Sequence, residues 1–148
     1  MLRASSVLNA RVTIASKPDV TAATAWTTGN SPITIFTVTG TVLITCAGVV
    51  TTPLTSTGAT GTLAIGVAGT TGGLIAATTV DGTKLHTAKF VWADTSASAA
   101  IVALPGTSGW FIVSGTNIIL TVATNSMTAG GMDIYALWFP LSSGANVV

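Results

Sequence analysis

The chain has 148 residues, of which 49% are hydrophobic and 6% charged, and its net charge is +1. That length suits one domain with a sizeable core, and the hydrophobicity excludes a disordered chain. The charge gives no footprint for a phosphate backbone, and the single cysteine excludes both an internal disulfide framework and a cysteine-based structural zinc site.

Residues 1–31 read as an N-terminal arm with one short strand. The arm carries Arg3, Arg11 and Lys17, three of the five basic residues. Arg11-Val12-Thr13-Ile14-Ala15 alternates and suits a sheet edge, Lys17-Pro18-Asp19 is a turn signal, and Thr28-Gly29-Asn30-Ser31-Pro32 is a second break. Residues 32–148 read as the body. Pro32 to Thr39 is β-rich, with Thr34, Phe36 and Val38 expected on one face. Gly40-Thr41 looks like a tight connection into a long strand from Val42 to Thr52, where Gly48 marks a bulge or a close backbone approach.

Further strands are expected over Thr62–Ala68, Leu74–Val80, Lys84–Trp92, Ala100–Leu104, Gly109–Val113, Asn117–Thr124 and Met132–Pro140. The breaks between them include Gly69 to Gly73, the hairpin signal Asp81-Gly82, and Ala129-Gly130-Gly131. No stretch has helical periodicity with a cap at each end. Short strands at regular spacing predict an all-β, single-domain β-sandwich of about eight to ten strands, jelly-roll-like in connectivity.

The segment from Val20 to Val80 holds no charged residue. It is nevertheless a poor membrane helix. Its apolar runs are short, rich in Thr and β-branched residues, and broken by Gly40, Gly48 and Pro53. A membrane barrel is disfavoured by the absence of aromatic girdles. The start has a positive charge but no apolar stretch behind it, so synthesis in a cytoplasm is expected.

The side chains that do chemistry are scarce. There is no Glu and no Gln, and the acidic residues are Asp19, Asp81, Asp94 and Asp133. A glycoside hydrolase needs a carboxylate pair, and nothing in the spacing supplies one. Cys46 lies in an apolar strand and reads as a buried thiol. His86 reads as exposed on a strand. The Gly-rich loops lack the Gly-Lys-Ser/Thr of a phosphate cradle. No catalytic, cofactor-binding or metal-ligating residue is expected, and no small-molecule substrate. Trp26, Trp92, Trp110 and Trp138 are expected to pack and wall the core; an exposed one would suit sugar stacking or a protein interface.

Sparse charge itself points to assembly. A surface of Thr, Ser, Ala and Gly loses little on desolvation, and the 28 Thr residues supply it. Two segments carry a resemblance. One is Ile35-Phe36-Thr37-Val38-Thr39-Gly40-Thr41-Val42-Leu43-Ile44, followed by Gly48-Val49-Val50-Thr51-Thr52. The other is Ala136-Leu137-Trp138-Phe139-Pro140-Leu141-Ser142-Ser143-Gly144-Ala145-Asn146-Val147-Val148. The pair resembles small Thr/Ala/Gly-rich virion structural proteins of tailed bacteriophages, over about residue 32 to the end.

That resemblance implies a non-enzymatic role on the particle and no catalytic residues. The expected role is a capsid decoration (cement) protein on the head exterior. Its partners would be the major capsid protein and two further copies of itself in a homotrimer. Arg3 and Arg11 would fix the arm on acidic capsid groups, and Trp138, Phe139 and Pro140 would pack near the trimer axis. The alternative is a tail or fibre component that binds a host-surface glycan.

Overall fold

Val, Ile and Thr favour extended backbone because branching at Cβ restricts χ1, and they dominate the strands of this chain. The computed structural model describes residues 13–21, 26–80, 85, 86, 88, 91–93 and 109–148. Among them are eleven strands and no helix: β1 (Thr13–Thr21), β2 (Ile33–Phe36), β3 (Val38–Thr39), β4 (Thr41–Ser56), β5 (Thr62–Val67), β6 (Thr70–Thr79), β7 (Val91–Trp92), β8 (Phe111–Ser114), β9 (Ile118–Ala123), β10 (Met127–Pro140) and β11 (Asn146–Val147). Two sheets make the sandwich. One runs β1-β10-β4-β7, with β8 also on β4; the other runs β2-β9-β5-β6; β3 and β11 form a small third ladder. All pairs are antiparallel.

β7 and β8 share one edge of β4. Trp92 stands opposite Gly48 and Phe111 opposite Ile44, so the two short strands occupy one strand position, with no described residue paired opposite Thr45 to Ala47 on that side. With that position counted once and the small ladder set aside, eight strands remain. Their orders are first-eighth-third-sixth and second-seventh-fourth-fifth, the order of a jelly roll. The expected all-β sandwich and its connectivity are both present.

β4 and β10 form the spine, paired from Val42–Pro140 to Ser56–Met127. Their inner positions alternate as a half-buried strand requires. Val42, Ile44, Cys46 and Val50 of β4, and Met132, Ile134, Ala136 and Trp138 of β10, all enter one continuous core. The facing sheet contributes Phe36, Leu63, Ile65, Ile118 and Leu120. At one edge the two sheets are tied by a hydrogen bond in which Trp92 Nε1 donates to Thr78 Oγ1 at 2.9 Å.

Several local expectations are corrected. The stretch from Pro32 to Thr39 is not one strand, because β2 pairs with β9 while β3 pairs with β11. A register shift between Thr34 and Phe36 buries Ile35 and Phe36 together and leaves Thr34 exposed. Gly48 is no bulge, since it sits in regular register opposite Ile134 and Trp92. It is instead a close approach: a Cβ there would lie 3.2 Å from both Met132 Sδ and Trp92 Cε3.

Lys17-Pro18-Asp19 lies inside β1, where the register shifts between Lys17 and Val20. A proline without an N–H is accommodated at such an edge irregularity. The expected break at Gly69 to Gly73 shrinks to a turn at Ala68-Gly69, with Gly69 at φ 84°. Ala129-Gly130-Gly131 is in-strand, and Gly130 takes φ 108° where β10 shifts register against β4. Of the strand expected over Lys84 to Trp92, the described part is β7, and Leu85 and His86 lie in a turn. Asp81-Gly82 and Ala100–Leu104 lie outside the described residues.

Candidate functional site

The sheet containing β10 and β4 has an outer face as well as an inner one, and that face is apolar. Register places its side chains in rows. Ile112, Leu43 and Phe139 form one row, and Thr45, Leu137 and Ile14 the next. Beyond them lie Ala47, Tyr135 and Ser16, then Val91, Val49 and Asp133. The central strands' outward side chains are half-buried by their neighbours, whereas Ile14, Val91 and Ile112 are 64%, 61% and 46% exposed. Trp110 extends the apolar end of the face, its ring centroid 5.4 Å from that of Phe139 and tilted by 44°.

The electrostatics of the face are correspondingly thin. Its one charged side chain among the described residues is Asp133. Tyr135 donates its hydroxyl to Asp133 Oδ2 at 3.3 Å. Desolvation raises the Tyr135 phenol above its ordinary pKa, and the charge and hydrogen bond of Asp133 push the same way. A like-charged neighbour or acceptor disfavours the phenolate.

The residues singled out from the sequence are dispersed. Arg3 and Arg11 lie outside the described residues. Trp138 points inward, 5% exposed, and its Nε1 has no hydrogen-bond partner, so it belongs to the core. Phe139, one step along the strand, points outward, and Pro140 is exposed at the end of β10. Trp26 and Trp92 are buried too, which leaves Trp110 as the described indole with open surface.

Cys46 is far from any chemistry. It is a buried free thiol, and burial pushes its pKa from 9.0 up to about 12. It is therefore expected to resist a thiol-specific reagent at pH 8 in the native protein and to react once urea unfolds the chain. Below pH 9 the thiol is neutral in both states and contributes no pH dependence. Between about 9 and about 12 only the unfolded chain releases the proton, so stability falls as pH rises. The slope from this group is about 1.4 kcal/mol per pH unit. Urea titrations from pH 8 to 11 should show that loss, and Cys46→Ala should remove this component of it.

An open cavity of about 290 Å³ lies away from the outer face, lined by Leu54, Thr55, Ser56, Gly58, Ala59, Val80 and His86. Its polar groups are already engaged. His86 Nδ1 meets Leu54 O at 2.7 Å, and Ser56 donates its hydroxyl to Gly58 O. His86 is exposed, as expected, though on a turn rather than a strand. Among the described residues no three His, Cys, Asp or Glu side chains cluster to hold a metal ion.

The fold and this surface together define a class, a jelly-roll sandwich with one apolar, nearly uncharged outer sheet face. No protein-family model matches the chain, and neither a curated protein nor a solved structure is significantly similar to it.

Proposed function

We propose that this protein is a non-enzymatic structural component of a tailed-phage virion, a decoration protein that binds the outer head surface as a homotrimer. The observation that carries the reading is the outer face of the β10–β4 sheet. Antiparallel sheets ordinarily leave one side to water and alternate apolar with polar. Here Leu43, Val49, Leu137 and Phe139 occupy the side that should be polar. A contiguous apolar surface of that kind marks a contact with another protein.

The arrangement suits mechanical work. A rigid sandwich offers its apolar face to neighbouring copies, and its remaining Thr- and Gly-rich surface meets the capsid at little desolvation cost. Binding only the assembled lattice stabilises it through mass action. The glycan-binding alternative has less support, because three of the four indoles are buried and, among the described residues, no Trp, Tyr or Phe lines the cavity.

Two experiments test the reading. Gold-labelled antibodies should decorate heads of intact particles in a regular array; label confined to tails would overturn it. The double variant Val91→Asp/Ile112→Asp should fail to trimerise and, with that multivalency gone, lose roughly 100-fold in affinity for undecorated heads in a sedimentation assay, since each contact between copies would bury an unpaired carboxylate. Its melting temperature should stay within a few degrees of the parent's, because both positions are already solvated. Undiminished head binding would remove the outer face from the mechanism.

A further inference from the structure

The edge of the spine sheet is closed by β1, whose described side chains, Thr13 to Lys17, bury little surface. Among the described residues β1 pairs with β10 alone, from Thr13–Trp138 to Thr21–Gly131. Of its side chains from Thr13 to Lys17, Ala15 packs against the core and the other four are exposed. Ile14 leaves 64% of its surface in solvent. The ladder is also split, because register shifts between Lys17 and Val20, beside a proline that donates no hydrogen bond.

The segment after β1 is anchored much more firmly. Trp26 is 1% exposed, and its carbonyl accepts a hydrogen bond from Met127 N at 2.9 Å. Trp26 therefore ties the chain to the body on the C-terminal side of β1. Departure of β1 uncovers the β10 edge from Gly131 to Trp138, a row of backbone donors and acceptors in extended geometry.

We infer that β10 is a strand-acceptor edge and that in the assembled protein it is filled by β1 of a second copy. An open edge binds any strand of matching register. The strand that matches best is β1 itself, whose shift at Lys17 already fits β10. Exchange of an identical element costs little, because every contact of the closed monomer is remade between copies. It also places Ile14 at a subunit boundary, beside Leu137.

The test uses the full chain without any capsid. Ile14 and Leu137 face each other across the pair and are both on the outer side. Two variants are made in a Cys46→Ala background, one carrying Ile14→Cys and the other Leu137→Cys. They are mixed in mild urea, returned to buffer and oxidised. Strand exchange predicts a disulfide-linked dimer in the mixture, at least fivefold above the level in either variant alone. The double variant Ile14→Cys/Leu137→Cys should then give interchain ladders on a non-reducing gel. A mixture no more cross-linked than the single variants would overturn the inference, as would a double variant that stays monomeric. Deleting residues 1–21 gives a second readout, since the shortened chain should keep its β-sheet circular dichroism but lose self-association by light scattering. Failure here leaves the head-labelling experiment, and the reading it tests, untouched.

Discussion

Replacing Trp26 with alanine is expected to lower the unfolding free energy by about 3–5 kcal/mol. Trp26 is the largest fully buried side chain, and it comes from the segment leading into β2 rather than from a strand. Its neighbourhood is pinned on several sides. Met127 N donates to its carbonyl at 2.9 Å, Thr28 N donates to Ser126 Oγ at 3.1 Å, and Thr57 N donates to Ser126 O at 3.0 Å. The turn before β10 therefore cannot collapse into the space the indole vacates. A rigid cavity carries the full penalty, whereas a collapsible one recovers part of it.

Since domains of this kind are stable by only about 5–15 kcal/mol, Trp26→Ala should sit close to the unfolding threshold at 37 °C. Trp110→Ala is the control. Its ring is half-open on the outer face against Phe139, and its loss should cost about 1 kcal/mol. Urea titrations followed by far-ultraviolet circular dichroism separate the two. Equal midpoints would mean that Trp26 does not close the core.

Part of this fold is legible in the sequence for a simple reason. From Val42 to Val50 of β4 and from Met132 to Trp138 of β10 every second residue is apolar or Gly, so extended strands are evident and so is an all-β sandwich. Phase is harder. In Ala136-Leu137-Trp138-Phe139 all four residues are apolar, and a period of two gives no sign of which pair faces inward. Pairing with β4 decides it, by placing Trp138 opposite Ile44 and Phe139 opposite Leu43. That is why Trp138 and Phe139 are equivalent as interface residues in the sequence and are not in the fold.

The same feature contains the signal for the candidate surface. Val42-Leu43-Ile44 and Ala136 to Phe139 are apolar on both phases, the pattern of a strand covered on both sides. Such runs predict a sheet with two apolar faces, one for the core and one for a partner. Gly48, Gly66 and Gly130 are not legible in detail. A glycine inside a strand announces a bulge or a close approach, and only the neighbouring strand tells which.

Gly66 makes that distinction measurable, and Gly66→Ala is expected to destabilise the fold by about 3 kcal/mol. β5 is buried on both sides, with Leu63 and Ile65 in the core and Ala64 and Gly66 covered on the other face. The cover at Gly66 is backbone. Ile65 pairs with Ile75 and Val67 with Thr70, so Thr71 to Leu74 lack counterparts on β5 and the start of β6 arches over it. A Cβ on Gly66 would lie 2.1 Å from Thr70 O and 2.6 Å from Thr71 C. Neither atom is the end of a flexible side chain, so relief requires moving the arch or breaking the β5–β9 ladder at Ile119. Overpacking against movable side chains typically costs about 1–3 kcal/mol, and an unyielding backbone places this case at or above the top of that range. Gly69, three residues on, provides the contrast. It takes φ 84° with nothing within 4 Å of an added Cβ, so Gly69→Ala carries only the left-handed backbone penalty of about 1 kcal/mol. The difference should appear as roughly 4–8 °C between the two melting temperatures. If Gly66→Ala melted with or above Gly69→Ala, the arch of β6 over β5 would have to be wrong.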